Sequence, residues 1–227
     1  VYWFGGTGNW SDQANHWSNN SGNSPASLHG ATPGANDNAI FDTSSGTGTC
    51  TVDAGTHTCL NLDFTNSSAI IFGGSIGLGI SGNIIMKSGM TNNYSGVITM
   101  NQVGGTATIT SNSVVFKSSF TFNGSGTTFQ LIDNFQTSGG TIRLTAGTFD
   151  ATTNSCTVKL SGESSTIDLN FTFYNLTYEP PPSILCELIT NTMTVSNVFK
   201  INMGATVTNR ALVRGKVRGT QSTITCN

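Results

Sequence analysis

Three tryptophans near the start of the chain stand at intervals of seven residues, at Trp3, Trp10 and Trp17. The polar residues between them include Asn9, Asp12, Asn15 and His16. Exposed aromatic rings beside amides and carboxylates bind sugars by stacking and hydrogen bonding. Buried aromatic rings could instead cover the open end of a repeat fold, whose terminal repeat needs protection. The pattern therefore favours an end cap and leaves a glycan-stacking surface as the alternative.

Four acidic residues in the middle of the chain are the candidates for catalysis: Asp133, Asp150, Glu163 and Asp168. Glycoside hydrolases need a pair of carboxylates about 5 to 9 Å apart, and the sequence does not place any two of these together. The motifs GxSxG, HExxH and GK[ST], which mark serine, zinc and phosphate-loop chemistry, do not occur. We therefore predict no catalytic residues and no enzymatic activity.

Neither a cofactor nor a metal is expected. The segment from Gly77 to Gly82 matches the GxGxxG fingerprint of dinucleotide sites. That site also needs a following helix, and this segment lies among strand-like patterns, so we interpret it as a turn. Asn36, Asp37 and Asp42 carry oxygen atoms that could bind Ca²⁺, but their spacing does not match an EF-hand loop.

The five cysteines show no CxxC pairing, which argues against a zinc site or a thioredoxin-like motif. In an extracellular protein, Cys50 and Cys59 are close enough in sequence for a disulfide between neighbouring strands. One cysteine would then be left over, and Cys226 is the best candidate for a free thiol or a bond between chains. The alternative is that the cysteines stay reduced and pack as small apolar side chains.

The composition predicts an all-β protein. Only 9% of the 227 residues are charged, against about 25% in an average domain, and Ser, Thr, Asn and Gly make up about half of the chain. Strong helix formers are scarce. A net charge of −2, with Val, Ile and Phe spread along the chain, argues against disorder. No apolar run approaches the roughly 18 to 20 residues that span a bilayer, so we expect no membrane insertion.

The charges are unevenly distributed along the chain. Residues 1–199 hold all 11 acidic residues and four basic ones, a net charge of −7, whereas residues 200–227 carry five basic residues and no acid. The basic segment lacks the interleaved aromatic residues of nucleic-acid-binding proteins, so no nucleic-acid partner is expected. Contact between the acidic body of one copy and the basic end of the next fits better, because such a heterologous contact propagates. The predicted assembly interface comprises Arg210, Arg214, Lys216, Arg218 and Cys226.

Short segments of two-residue periodicity, separated by Gly, Ser and Asn, fill the chain from Cys50 onward. Asn61 is followed by Asn83 and Asn175 by Asn197, each 22 residues later, and Asn112 to Asn134 forms a weaker middle copy. Such a repeat predicts a β-solenoid similar to a parallel β-helix, with Asn or Gly at the corners and amides bonded along the axis. A jelly-roll or other β-sandwich is the alternative fold. We expect a Trp-rich, loop-containing cap module over residues 1–48 and a solenoid with a basic end over residues 49–227.

The opening residues from Trp3 to Asp12 read WFGGTGNWSD and are followed by His16-Trp17-Ser18 and by Ala39-Ile-Phe-Asp42. This pattern resembles the opening module of repetitive β-strand extracellular proteins of phages and environmental bacteria. Segments such as Cys59–Thr65 and Gly147–Ala151 are similar to the repeats of that family. The resemblance implies a surface, fibre or virion component and no particular activity.

Composition, repeat and resemblance together predict a non-enzymatic, extracellular structural protein. We expect a self-associating subunit of a filament, a fibre, or a virion or cell-surface layer, whose partners are other copies arranged head to tail. The first alternative is a carbohydrate- or receptor-binding adhesin module that contacts surface glycans through its tryptophans. The second is a phage-type polysaccharide depolymerase.

Overall fold

The computed structural model describes residues 1–22, 27–181, 185–190, 192–202, 210–215 and 223–226. The fold is 52% strand and 4% helix, and its strands form a parallel β-solenoid of about seven turns. The predicted solenoid is therefore confirmed. The sandwich alternative is wrong, because the named strands pair in parallel except where the first hairpin closes the N-terminal end. Among the described residues, no helix is long and apolar enough to cross a membrane.

Each turn of the chain passes over three faces in the same order. Face 1 begins with strands β1 (Tyr2–Trp3), β4 (Ala39–Ile40), β7 (Leu62–Asp63), β10 (Ile84–Ile85) and β12 (Gly105–Thr110). Face 2 consists of β2 (Gly8–Asn9), β5 (Gly48–Val52), β8 (Ile70–Gly74), β13 (Val115–Phe116), β15 (Phe135–Thr137) and β17 (Thr157–Leu160). Face 3 consists of β6 (His57–Cys59), β9 (Leu78–Ile80), β11 (Ile98–Met100), β18 (Ser164–Asp168), β20 (Leu185–Thr190) and β22 (Arg210–Gly215).

Four longer strands turn a corner and so belong to two faces. The strands β14 (Phe120–Leu131) and β16 (Thr141–Asp150) run from face 3 onto face 1. The strands β19 (Phe171–Tyr178) and β21 (Thr192–Ile201) end on face 2, and β23 (Thr223–Cys226) pairs with the beginning of β21. The helical elements whose bounds are described are α1 (Gln13–His16) and a 3-10 turn at Thr43–Ser45, and β3 (Trp17–Ser18) follows α1.

Alternation of apolar and polar residues determines which side chains enter the core. In β14, Phe120 and Phe122 are buried while Thr121 lies between them on the outside. Successive side chains of a strand point to opposite sides of a sheet, so each face contributes every second residue to the interior. The buried rings also stack along the solenoid axis: Phe41 and Phe64, from adjacent coils, lie 4.2 Å apart and nearly parallel. The core is thus a continuous apolar column.

Asparagines bond from coil to coil at one corner, as the repeat predicts. The Asn61 amide donates to Oδ1 of Asn38 at 2.6 Å, and its own Oδ1 accepts the Asn83 backbone N–H at 2.6 Å. A second ladder on face 2 joins Asn197 Nδ2 to Asn175 Oδ1 at 2.9 Å. These ladders satisfy corner groups that the sheet hydrogen bonds do not reach.

The middle copy of the repeat is placed differently from the prediction. The register pairs Val115 with Gln136, so Asn134 is one position beyond the residue that faces Asn112. Asn112 donates its backbone N–H to Asp133 at 2.6 Å, while Oδ1 of Asn134 accepts from the Thr157 backbone N–H at 2.8 Å. Asn112 and Asn134 therefore do not form one ladder, because this coil is one residue shorter than the repeat.

Residues 1–48 continue directly into the solenoid. The strand β4 pairs in parallel with β7, and β1 pairs in parallel with β4. The strand β3 lies antiparallel to β1 and covers its outer edge. A boundary near residue 48 stays a prediction, since sheet hydrogen bonds cross it on face 1.

Candidate functional site

The three tryptophans lie inside the N-terminal end of the solenoid. The side chains of Trp3, Trp10 and Trp17 are completely buried. The Trp17 ring meets those of Trp3 and Trp10 edge-on, at centroid distances of 5.2 and 4.9 Å. Its indole N–H donates to the Trp10 carbonyl at 2.8 Å. None of the three rings presents a face to a sugar, which corrects the alternative of a stacking surface on these residues.

The His16 ring packs against one side of the tryptophan cluster. It lies parallel to the ring of Trp3 at 4.5 Å, and its Nδ1 is 2.7 Å from the carbonyl oxygen of Phe4. A Cβ at Gly8 would come within 1.9 Å of the His16 Nε2 atom, so a side chain at this position would displace the imidazole. The tryptophans, His16 and Gly8 of the opening motif therefore pack together and close the N-terminal end of the core.

Asp53 joins the N-terminal segment to the first full coil. Its Oδ1 accepts the Ser11 backbone N–H at 2.9 Å, its other oxygen accepts the Ser11 hydroxyl, and Oδ1 is 3.6 Å from Nε2 of His57. Partial burial acts to raise the pKa of Asp53, but the hydrogen bonds from Ser11 outweigh it, and the pKa is lowered. The carboxylate is thus held in its charged form, where it accepts hydrogen bonds best.

Sequence reasoning did not identify this Ser11–Asp53–His57 cluster. The separation of Asp53 and His57 by four residues gives a weak signal, whereas Ser11 is 42 residues from Asp53. Because the carboxylate lies between the hydroxyl and the imidazole, the cluster lacks the serine-to-histidine contact that activates a nucleophile. Its geometry fits a structural contact, here called the clasp, in which Asp53 holds Ser11 of the N-terminal segment against the next coil.

At the N-terminal end of the solenoid, the outer edge of the first strand is different on each of the three faces. On face 1 the edge of β1 is covered by β3, and on face 2 the edge strand is β2. On face 3 the edge strand is β6, which pairs on its inner side with β9 and with no strand on its outer side in the described part of the chain. An unpaired edge presents backbone N–H and C=O groups that can accept another strand.

The solenoid converts the order of charges in the sequence into a separation along its axis. Residues 1–86 contain five aspartates and no Lys or Arg, whereas all five charged residues after position 199 are basic. Successive coils stack about 4.8 Å apart, so residues distant in sequence are also distant along the axis. The N-terminal coils are therefore acidic, and the described basic residues after position 199, which are Lys200, Arg210 and Arg214, lie in the last coils of the stack.

The basic end is only partly free to contact a partner. Arg214 donates to the Glu187 carboxylate of the preceding coil at 2.9 Å, so part of its charge is balanced within the chain, and its place in the assembly interface stays a prediction. Arg210 lies at the start of β22 and Cys226 at the end of β23, and their side chains are outside the described part. Lys216 and Arg218 are outside the described residues as well.

Three of the four mid-chain carboxylates hold parts of the fold together by hydrogen bonds. Asp133 accepts the backbone N–H groups of Ser111 and Asn112 at 2.7 and 2.6 Å. Asp168 is almost fully buried and accepts from Arg143 Nε at 2.7 Å.

Asp150 caps the turn that follows β16, where its Oδ1 accepts from the backbone N–H groups of Thr152 and Thr153 at 2.9 and 3.0 Å. Burial acts to raise the pKa of Asp150, but these bonds outweigh it and the pKa is lowered well below its usual range. Glu163 is exposed, before β18. Asp133, Asp150 and Asp168 are thus each engaged in hydrogen bonds within the fold.

The candidate calcium ligands serve separate turns. Asp37 accepts the Gly34 backbone N–H at 2.9 Å, and Asp42 accepts the Ser44 backbone N–H at 2.8 Å. Within the described ranges, no group of three or more His, Cys, Asp or Glu side chains is placed to hold a metal ion. The GxGxxG segment forms β9 and its flanking turns, with no helix after it.

The predicted disulfide between Cys50 and Cys59 is not formed. Both thiols are free and buried, as are those of Cys156 and Cys186. Cys50 lies on β5 of face 2 and Cys59 on β6 of face 3, and each points into the apolar core. Burial raises the pKa of both thiols, which keeps them protonated and unreactive.

No protein-family model, curated protein or solved structure matches this chain. The site must therefore be interpreted from its own geometry.

Proposed function

We propose that this protein is a non-enzymatic structural subunit whose solenoids associate head to tail in an extracellular filament, a fibre, or a virion or cell-surface layer. The observation that carries the proposal is the order of charge along the chain, which the solenoid stacks along its axis: residues 1–86 hold five aspartates and no Lys or Arg, and residues 200–227 hold five basic residues and no acid. Opposite charges at the two ends favour contacts between different ends of successive copies. Such heterologous contacts propagate when they do not close a ring.

The edge of β6 is a suitable acceptor for the next copy. It is unpaired on its outer side among the described strands, and it lies close to Asp53 at the acidic end. Strand addition to such an edge supplies main-chain hydrogen bonds, while the charges set orientation and association rate. The covered edge of β1 restricts this kind of pairing on face 1.

The engagement of the polar residues supports a structural role over a catalytic one. Asp133 and Asp150 cap turns, Asp168 pairs with Arg143, and Asp53 holds the N-terminal segment. The pKa values of Asp53 and Asp150 are lowered by their hydrogen bonds, and a carboxylate that stays ionised is a poor general acid. The same contacts stiffen the coil, which suits a rod-like subunit.

Electron microscopy and light scattering of the purified protein over a range of salt concentrations test the proposal. Filaments or oligomers are expected at low salt, and they should shorten or dissociate as salt screens the end-to-end attraction. The double variant Arg210→Glu/Arg218→Glu should assemble less, while Lys87→Glu, a charge reversal in the middle of the solenoid, should not. A protein that stays monomeric at every salt concentration, or assembly insensitive to both the salt and the double variant, would contradict the proposal.

A further inference from the structure

Face 2 carries three lysines on its outer surface. Lys117 follows β13, Lys159 lies in β17 and Lys200 lies in β21. The register aligns Lys159 with Thr177 and Thr177 with Lys200, so the two lysines stand in one column, two coils apart. With about 4.8 Å between adjacent strands, their backbones are about 10 Å apart along the axis.

These lysines form a positive stripe on a protein whose net charge is negative. Glu179 is the acid of this stripe, and its carboxylate lies 3.0 Å from the Lys159 ammonium. Hydrogen bonds from Lys159 and Asn202 lower the pKa of Glu179, with a further contribution from the charge of Lys200. The Lys117 ammonium donates at 2.8 Å to an uncharged partner, Oδ1 of Asn93. The Lys159 ammonium is therefore paired with a carboxylate, whereas that of Lys117 is bonded to an uncharged amide.

A shallow trough runs beside the first part of the stripe. It has a volume of about 290 Å³ and crosses the coils of β13, β15 and β17. The side chains of Val114 and Phe135, which are almost fully buried, form its apolar floor. Its rim is polar and at least partly exposed, with two amides, a hydroxyl and an ammonium, from Asn134, Gln136, Thr157 and Lys159. An apolar floor with a few polar groups around it is the usual composition of a site that binds a small ligand or a sugar ring.

We propose that the trough and the lysine stripe, from Lys117 to Lys200, together bind a linear acidic polysaccharide. The amides and the hydroxyl would bond to sugar hydroxyls, and the lysines would pair with carboxylates that recur along the polymer. Single-stranded nucleic acid fits less well, because proteins bind it by stacking its bases on exposed aromatic rings, whereas the ring that lines this trough, Phe135, is almost fully buried. This inference is independent of end-to-end assembly, since face 2 runs along the side of the solenoid.

Binding of hyaluronan, which carries a carboxylate on alternate sugars, tests the inference when it is measured by titration calorimetry at low salt. Carboxyl-reduced hyaluronan is the uncharged control, and a single-stranded oligonucleotide and polyglutamate represent other polyanions. We expect the protein to bind hyaluronan in preference to all three. The double variant Lys117→Gln/Lys200→Gln should bind about fivefold more weakly, as expected for the loss of two exposed charge pairs.

Two further variants separate the stripe from general charge. Lys87→Gln removes one positive charge outside the trough and the lysine stripe, and its affinity should match that of the unmodified protein, whereas Lys200→Gln alone should weaken binding. Thr157→Phe fills the trough without changing the charge and should also weaken binding. Circular dichroism confirms that each variant is folded. Absence of hyaluronan binding, equal binding of the oligonucleotide or polyglutamate, or equal effects of Lys87→Gln and Lys200→Gln would overturn the inference.

Discussion

Replacement of Asn61 by alanine should destabilise the solenoid by a measurable amount. Asn61 bonds in two directions along the axis, to Oδ1 of Asn38 and from the backbone N–H of Asn83, both at 2.6 Å. A neutral hydrogen bond contributes about 1 kcal/mol, and a backbone N–H left without its partner adds to the loss. We therefore expect Asn61→Ala to reduce the free energy of unfolding by about 2 kcal/mol. For a protein of this size, that corresponds to a fall of about 4 to 8 °C in Tm.

Urea denaturation followed by tryptophan fluorescence measures this loss, because the three buried indoles report on the adjacent N-terminal coils. Asn61→Asp keeps the acceptor for Asn83 but loses the donor to Asn38, so about half of the destabilisation is expected. Asn66→Ala is the matched control, because Asn66 is exposed and lies outside the ladders. If Asn61→Ala stays within about 0.5 kcal/mol of the unmodified protein, or if Asn66→Ala is equally damaging, the ladder does not stabilise the fold.

Three further predictions concern a corner, an acid and the thiols. Gly147→Ala should lower the free energy of unfolding by about 2 kcal/mol or more, as measured by urea denaturation, because φ is +96° and the new Cβ would lie 2.6 Å from a backbone oxygen. Gly89→Ala is the control, because φ is +76° but the space around the residue is open, and it should cost clearly less. Equal losses of stability in the two variants would contradict this prediction. Because the pKa of Asp53 is lowered in the folded protein, the stabilisation by its carboxylate is present above about pH 4 and is lost as the pH falls through the folded pKa. Between pH 6 and pH 3, Asp53→Asn should therefore lose less stability than the unmodified protein. A pH dependence identical to that of the unmodified protein would refute the clasp. The thiols of Cys50 and Cys59 should react with a disulfide reagent only on unfolding, and rapid reaction of the native protein would show that they are exposed.

Local periodicity was sufficient to predict the fold class. The alternation in Phe120-Thr121-Phe122 recurs from coil to coil, and it requires one apolar and one polar side for each strand. The recurrence of Asn61 and Asn83 then gave the correct length of one coil, since these residues are bonded in the structure. Both signals lie within about one repeat of sequence.

Coil length varies too much for the register to be derived from the sequence. Ile84 pairs with Leu62 before it and with Ile109 after it, steps of 22 and 25 residues. A change of one residue reverses which side chains face the core, unless a turn absorbs it. The corners absorb these differences, and this is why Asn112 and Asn134, although 22 residues apart, are not equivalent.

The sequence by itself determined that the chain coils into an all-β solenoid and that its charges would be ordered along the axis, because both follow from patterns that are local or linear. Only the tertiary structure decided that Trp3, Trp10 and Trp17 are buried, that Arg214 pairs with Glu187, and that Lys159 and Lys200 share a column. Each of these contacts or alignments depends on how neighbouring coils are aligned. That alignment is set by packing across the whole core, and short sequence patterns do not encode it.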